Sequence, residues 1–177
     1  MTKKEKKTIV EMITNYPERT EQDRITDYKN YFEKIINYPK YPLNSCAFIG
    51  ETTIDKIQLT RDIFHSYGFE EWNSKNGDFV LIDSEKKFKS YKIMLDYIEK
   101  YKDIRFVVIT KCANILRNDA KILVFKYLNE FEREINSFGK KIRVSAHYIL
   151  LSDTDSRDKL KNPVYGEALK QRVEWIY

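Results

Sequence analysis

A chain of 177 residues that is 42% apolar and 14% aromatic has the length and the side chains for one α/β domain with a short extension, which excludes global disorder. Its 32 basic against 27 acidic residues leave a net charge of +5 mixed along the chain; that balance permits nucleic-acid contact without requiring it. No run of about 18 apolar residues exists for a membrane span, and the charged Met1–Lys7 start is not followed by the apolar stretch of a secretory leader, so a cytoplasmic setting in a host cell is expected.

Residues 1–43 are polar, with Pro17, Pro39 and Pro42 as breakers. Ile25, Tyr28, Phe32 and Ile35 or Ile36 recur there at helical spacing, which predicts an N-terminal helical extension. Residues before Pro avoid the helical region, so the Pro39–Pro42 segment should be extended. The lysines at 3–7 read as a solvated terminus.

From Asn44 to Tyr177 strands and helices alternate, which marks this stretch as the main domain. Ser45–Gly50 is a short apolar strand. Asp55–Tyr67 follows as a helix with Leu59, Ile63 and Phe64 inward. Gly77 and Asp78 open a second strand, Phe79–Asp83. Phe88, Tyr91, Met94 or Leu95, and Ile98 mark the next helix. Ile104–Thr110 is almost wholly apolar and β-branched, the pattern of a strand buried on both faces. Ile122, Phe125, Leu128, Glu132 and Ile135 trace a long helix that Gly139 is placed to cap. Tyr148–Ser152 is a fourth strand, Glu167–Arg172 a helix, and Val173–Tyr177 a short fifth strand. Such interleaving implies a three-layer α/β fold, a parallel sheet of about five strands with helices on both faces.

Cys46 and Cys112 lie far apart, without a C-x-x-C or a Cys/His cluster, and read as reduced, buried thiols. His65 is expected on a helix surface and His147 on a strand facing solvent; neither has the spacing of a metal ligand. Asp153, Asp155 and Asp158 read as a capping and turn cluster, so no metal site is expected. Trp72 and Trp175 are candidate partial core or interface anchors.

The segment Ala47-Phe48-Ile49-Gly50-Glu51-Thr52-Thr53-Ile54-Asp55-Lys56-Ile57 looks like a phosphate-binding loop with part of its chemistry removed. A working G-x-x-x-x-G-K-[ST] loop wraps phosphate with backbone N–H groups and sets its last hydroxyl on Mg²⁺. Gly50, Thr52, Thr53 and Lys56 are the nucleotide-binding remnant. The second Gly is replaced by Asp55, and the hydroxyl by Ile57. Asp55 reads as a helix N-cap, whose carboxylate repels the phosphate that a bare helix N-terminus would attract.

Order adds to this loop. Arg105–Asn118, an apolar strand and its continuation, resembles the second nucleotide motif of AAA+ ATPases. Tyr148–Asp155 resembles the sensor-1 strand, with Ser152 as its polar residue. Glu167–Arg172 resembles the helix that carries the arginine finger, at Arg172, and Val173–Tyr177 resembles the fifth core strand. The resemblance covers 44–177 and is to short ATPase-like proteins of bacteriophages. It implies the P-loop NTPase sheet order 5-1-4-3-2, here expected without the C-terminal lid domain. In active members the third strand ends in two acids, one holding Mg²⁺ through water and one polarising the attacking water. Those positions are Thr110 and Lys111 here. With Ile57, they remove the metal-handling groups on which phosphoryl transfer depends.

The expectation is therefore a catalytically degenerate AAA+-like domain with no catalytic residues, no metal and no cofactor. It would act as a protein-interaction module: a phage DNA-replication accessory, or an inhibitor mimicking a host ATPase, with an ATPase or replication protein as partner. One alternative is an active nucleotide-binding ATPase using ATP and Mg²⁺, with Asp83 or Asp153 replacing the missing acid. Another is a single-stranded nucleic-acid-binding accessory protein using the basic residues of 86–92 and 140–143 with neighbouring Tyr and Phe.

Overall fold

Successive side chains of a strand point to opposite faces of a sheet, and that period sorts the core of this protein into two halves. The computed structural model describes residues 20–37, 46–49, 55–112, 115, 134–137, 139–152 and 174–176. They form helices α1 (Glu21–Asn37), α2 (Lys56–Ser66), α3 (Ser84–Lys87) and α4 (Tyr91–Lys100). The strands are β1 (Cys46–Ile49), β2 (Phe79–Asp83), β3 (Phe106–Thr110), β4 (Glu134–Ser137), β5 (Lys140–Arg143), β6 (His147–Ser152) and β7 (Glu174–Ile176). The main sheet is parallel and runs β2-β3-β6-β1-β7; β4 and β5 form a separate antiparallel pair. The expected α/β class with a parallel sheet is present.

On one face of the sheet lie Phe79, Phe106, Val108, Ile149 and Leu151, covered by Tyr28, Tyr31, Phe32 and Ile36 of α1 and by Ile63 and Phe64 of α2. The Phe64 ring is the hub, with ring centres 5.0 Å from Phe32, 4.6 Å from Phe79 and 4.8 Å from Phe106. On the opposite face lie Val80, Ile82, Val107, Ile109, Tyr148 and Leu150, packed under Met94, Leu95 and Ile98 of α4 and under Ile135 and Ile142 of the β4–β5 pair. Every residue of β3 and β6 is buried, as the unbroken apolar run of β3 requires.

Side-chain caps set the helix starts. Asp55 accepts from the Gln58 N–H at 3.0 Å, Asp83 from the Lys86 N–H at 3.1 Å and Ser90 from the Ile93 N–H at 3.2 Å. A buried hydroxyl pair also ties α1 to α2. The Thr60 hydroxyl donates to the Lys56 carbonyl at 2.6 Å and so accepts from the Tyr28 hydroxyl.

Three expectations are corrected. Ile135 does not continue a helix but stands in β4, opposite Ile142 of β5, and Gly139 does not cap a helix but turns this hairpin at φ +72°. Both isoleucines are buried, so pairing them places two apolar side chains on one face of the hairpin, a period-2 solution that a helical stripe through Ile135 conceals. Residues 116–133, where the rest of that helix is expected, lie outside the described residues. Phe88 is not in the helix it was expected to start: it follows α3 and is buried, and α4 begins at Tyr91 behind the Ser90 cap. His147 does not face solvent. It is 5% exposed, 3.2 Å from the Tyr31 hydroxyl, with Phe106 edge-on beside it.

His65 is exposed on α2, and Trp72 is half-buried against the Tyr101 ring. Cys112 is buried, its thiol donating to the Ile109 carbonyl at 2.9 Å; the side chains of Cys46 and Trp175 lie outside what is described. Among the described residues no helix is long and apolar enough to cross a membrane.

Candidate functional site at the carboxyl edge of the sheet

A parallel sheet sends all its strand ends to one edge, where open α/β folds bind their ligands. Here that edge brings together residues far apart in sequence. Asp83 ends β2 opposite Thr110 of β3, and Ser152 ends β6 opposite Ile49 of β1. Between the two pairs the Cys112 N–H donates to the Leu151 carbonyl at 3.1 Å, so the chain leaving β3 turns toward β6.

Lys56 opens α2, and its Nζ donates to the Ser152 carbonyl at 3.1 Å. The ammonium thus bridges the start of α2 to the end of β6, and Ser152 itself is buried. Ile57 is half-buried and packs against the α1–α2 side of the core, an alkyl contact in place of a ligating hydroxyl.

Thr110 is 5% exposed and its hydroxyl lies 3.5 Å from the Ile82 carbonyl. Lys111 follows at φ +55°, the left-handed region, and its carbonyl accepts the Ser84 hydroxyl at 2.8 Å. Its Nζ lies 3.2 Å from Asp83 Oδ2 and 3.7 Å from Glu85 Oε2. Slight burial disfavours the Asp83 carboxylate, but the Lys86 N–H and the Lys111 ammonium outweigh it and bring its pKa below the usual range. The hydrogen bond that Lys111 donates to Asp83 first, and the Asp83 charge second, raise the pKa of Lys111. Both groups are therefore held charged and paired at neutral pH.

An ammonium at the end of β3 repels a divalent cation and occupies the carboxylates beside it. Among the described residues no three of His, Cys, Asp and Glu are grouped to hold a metal ion. The site residues Lys56 and Ser152 are in contact, and Thr110 and Lys111 adjoin Asp83. Gly50, Thr52, Thr53 and Arg172 lie outside the described residues, as do Asp153, Asp155 and Asp158.

Asp83 as the partner of Lys111 is the residue that sequence reading passed over. The available signal is register: two adjacent parallel strands of equal length, each ending in a polar residue, place Asp83 beside Thr110 and within reach of Lys111.

No family model and no curated protein matches the sequence. Solved structures do match. The crystal structure of Cdc6p from Pyrobaculum aerophilum superposes with a TM-score of 0.54 at 12% identity, covering 90% of this chain and 46% of that one. The fold of this chain is similar to part of the Cdc6p fold. At this identity the likeness bears on the fold alone, and the chain spans less than half the length of Cdc6p.

Proposed function

We propose that this protein is a catalytically degenerate AAA+-like domain that works by binding another protein, not by hydrolysing nucleotide. The observation that carries the reading is the Lys111 ammonium, paired with Asp83 and Glu85 at the strand end where an active relative would place its metal-holding and water-polarising acids. Two further features support it: Ile57 is spent on core packing, and Lys56 is spent on the Ser152 carbonyl. The sheet order is a third. Numbered along the chain and read from β7, the five strands of the main sheet run 5-1-4-3-2.

In this reading the AAA+-like sheet is a scaffold that presents a surface to an ATPase or a replication protein, as a phage replication accessory or an inhibitor that mimics a host ATPase subunit. No cofactor is needed for that role. The test is phosphate release from ATP with Mg²⁺, run alongside a fluorescent-ATP titration, on the wild type and Lys56→Ala. The expected result is no turnover by either protein. Turnover by the wild type that Lys56→Ala abolishes would overturn the reading. The partner arm is co-purification from host lysate, followed by reconstitution of the binary complex from purified components.

A further inference from the structure

Four exposed lysines lie in one short ridge. Lys86 and Lys87 end α3, Lys89 stands in the link to α4, and Lys92 lies in the first turn of α4; all four are exposed. None of them forms an ion pair among the described residues. Several basic groups elsewhere are engaged: Arg61 with Glu71, Lys140 with Glu99, Lys141 with Glu134, Lys56 with Ser152, and Arg105 over the Phe69 ring.

The two acids that precede the ridge are engaged as well. Between 79 and 95 the only carboxylates are Asp83 and Glu85, and both face Lys111. The four ammonium groups form no ion pair among the described residues, although Lys86 also attracts the Asp83 carboxylate and Asp96 follows Lys92 by one turn of α4. The segment 86–92 spans at most about 20 Å even when fully extended, so the groups reinforce one another over a Debye length of about 8 Å at physiological salt.

We propose that this ridge binds the phosphate backbone of a nucleic acid. The chemistry points to backbone and not to base recognition. Two aromatic residues lie among these lysines: Phe88 is 3% exposed and packs near Tyr97, and Tyr91 is half-buried against the core, so neither ring stands fully clear for a base to stack on. The structure also separates the two basic stretches of the sequence. In 140–143 both lysines are paired and Ile142 is buried, so Arg143 is the one cation of that stretch without an ion pair among the described residues.

The inference stands apart from the non-hydrolysing reading, because its test contains no nucleotide triphosphate. Fluorescence anisotropy follows a labelled 20-base-pair duplex titrated with the full-length protein from 50 to 300 mM KCl. Four neutralised phosphates contribute about −3.6 to the slope of log affinity against log salt. The exchange Lys86→Gln/Lys87→Gln/Lys89→Gln/Lys92→Gln should weaken binding at 50 mM by about tenfold or more and flatten the slope by about 3 to 4. Because residues 3–7 add their own attraction, the readout is the difference between the wild-type and variant slopes. Lys140→Gln/Lys141→Gln should bind as the wild type does, and unchanged melting curves verify that both variants fold. Two outcomes overturn the proposal: no duplex binding by the wild type at 50 mM, or a quadruple variant with wild-type affinity and slope. Loss of poly-glutamate retention by the quadruple variant, with duplex binding unchanged, would assign the ridge to an acidic protein instead.

Discussion

The Lys111 Nζ stands 3.2 Å from the Asp83 carboxylate across the ends of two neighbouring parallel strands. The ion pair joins residues separated along the chain by α3, α4 and β3.

Replacing Lys111 by Met should raise the pKa of Asp83, because the ammonium that favours its charged form is gone. Asp83 titrates below its ordinary value, so its share of the stability is present above about pH 3.9 and is lost as pH falls through the folded-state value. Lys111 titrates above its ordinary value, so its share is present below about pH 10.4 and is lost as pH rises through the folded-state value. The stability gap between wild type and Lys111→Met should therefore be widest between these limits and vanish beyond both. Carboxyl-carbon NMR titration of Asp83 checks the shift; identical titration curves in the two proteins would refute it.

Lys56→Met keeps the apolar stem and removes the charged donor to the Ser152 carbonyl. A net loss of about 1–2 kcal/mol is expected, read from urea midpoints at constant m-value. If Lys56 served nucleotide alone, the substitution would leave apo stability unchanged.

Phe32→Ala should cost about 3–5 kcal/mol. Phe32 is fully buried and its ring meets Phe64 edge-on at 5.0 Å, so the substitution opens a cavity between α1 and the sheet. Cooperative loss of the whole thermal transition, and not of a separate early phase, would show that α1 melts with the sheet.

Gly77→Ala should be destabilising by about 2–3 kcal/mol. Gly77 holds φ +154°, and an added Cβ would stand 2.6 Å from the Trp72 Cα, a backbone atom that cannot move aside cheaply. The control Gly68→Ala meets nothing within 4 Å, although φ +78° strains it too, and should cost less. Equal melting temperatures for the two variants would contradict the close approach at Trp72.

Periodicity made much of the fold legible before any coordinates. The apolar run ending at Thr110 announces a strand buried on both faces, and Leu59, Ile63 and Phe64 mark the inner side of α2 without ambiguity. It misled at Ile135, where one isoleucine satisfies a helical stripe and a strand equally well; the choice rests on Ile142, a partner found only by pairing. His147 was misplaced for the same reason: a strand's pattern tells which residues share a face, but not that α1 comes back to cover one with Tyr31.

By itself the sequence determined the class of the protein, the alternation of strand and helix, and the absence of carboxylates from positions 110 and 111, because side-chain period and residue identity are local properties. The tertiary structure alone decided what fills that gap. Whether Lys111 meets Asp83 and whether Lys56 spans to Ser152 both depend on strand register and helix docking. Charge acts over distances that only the folded chain sets.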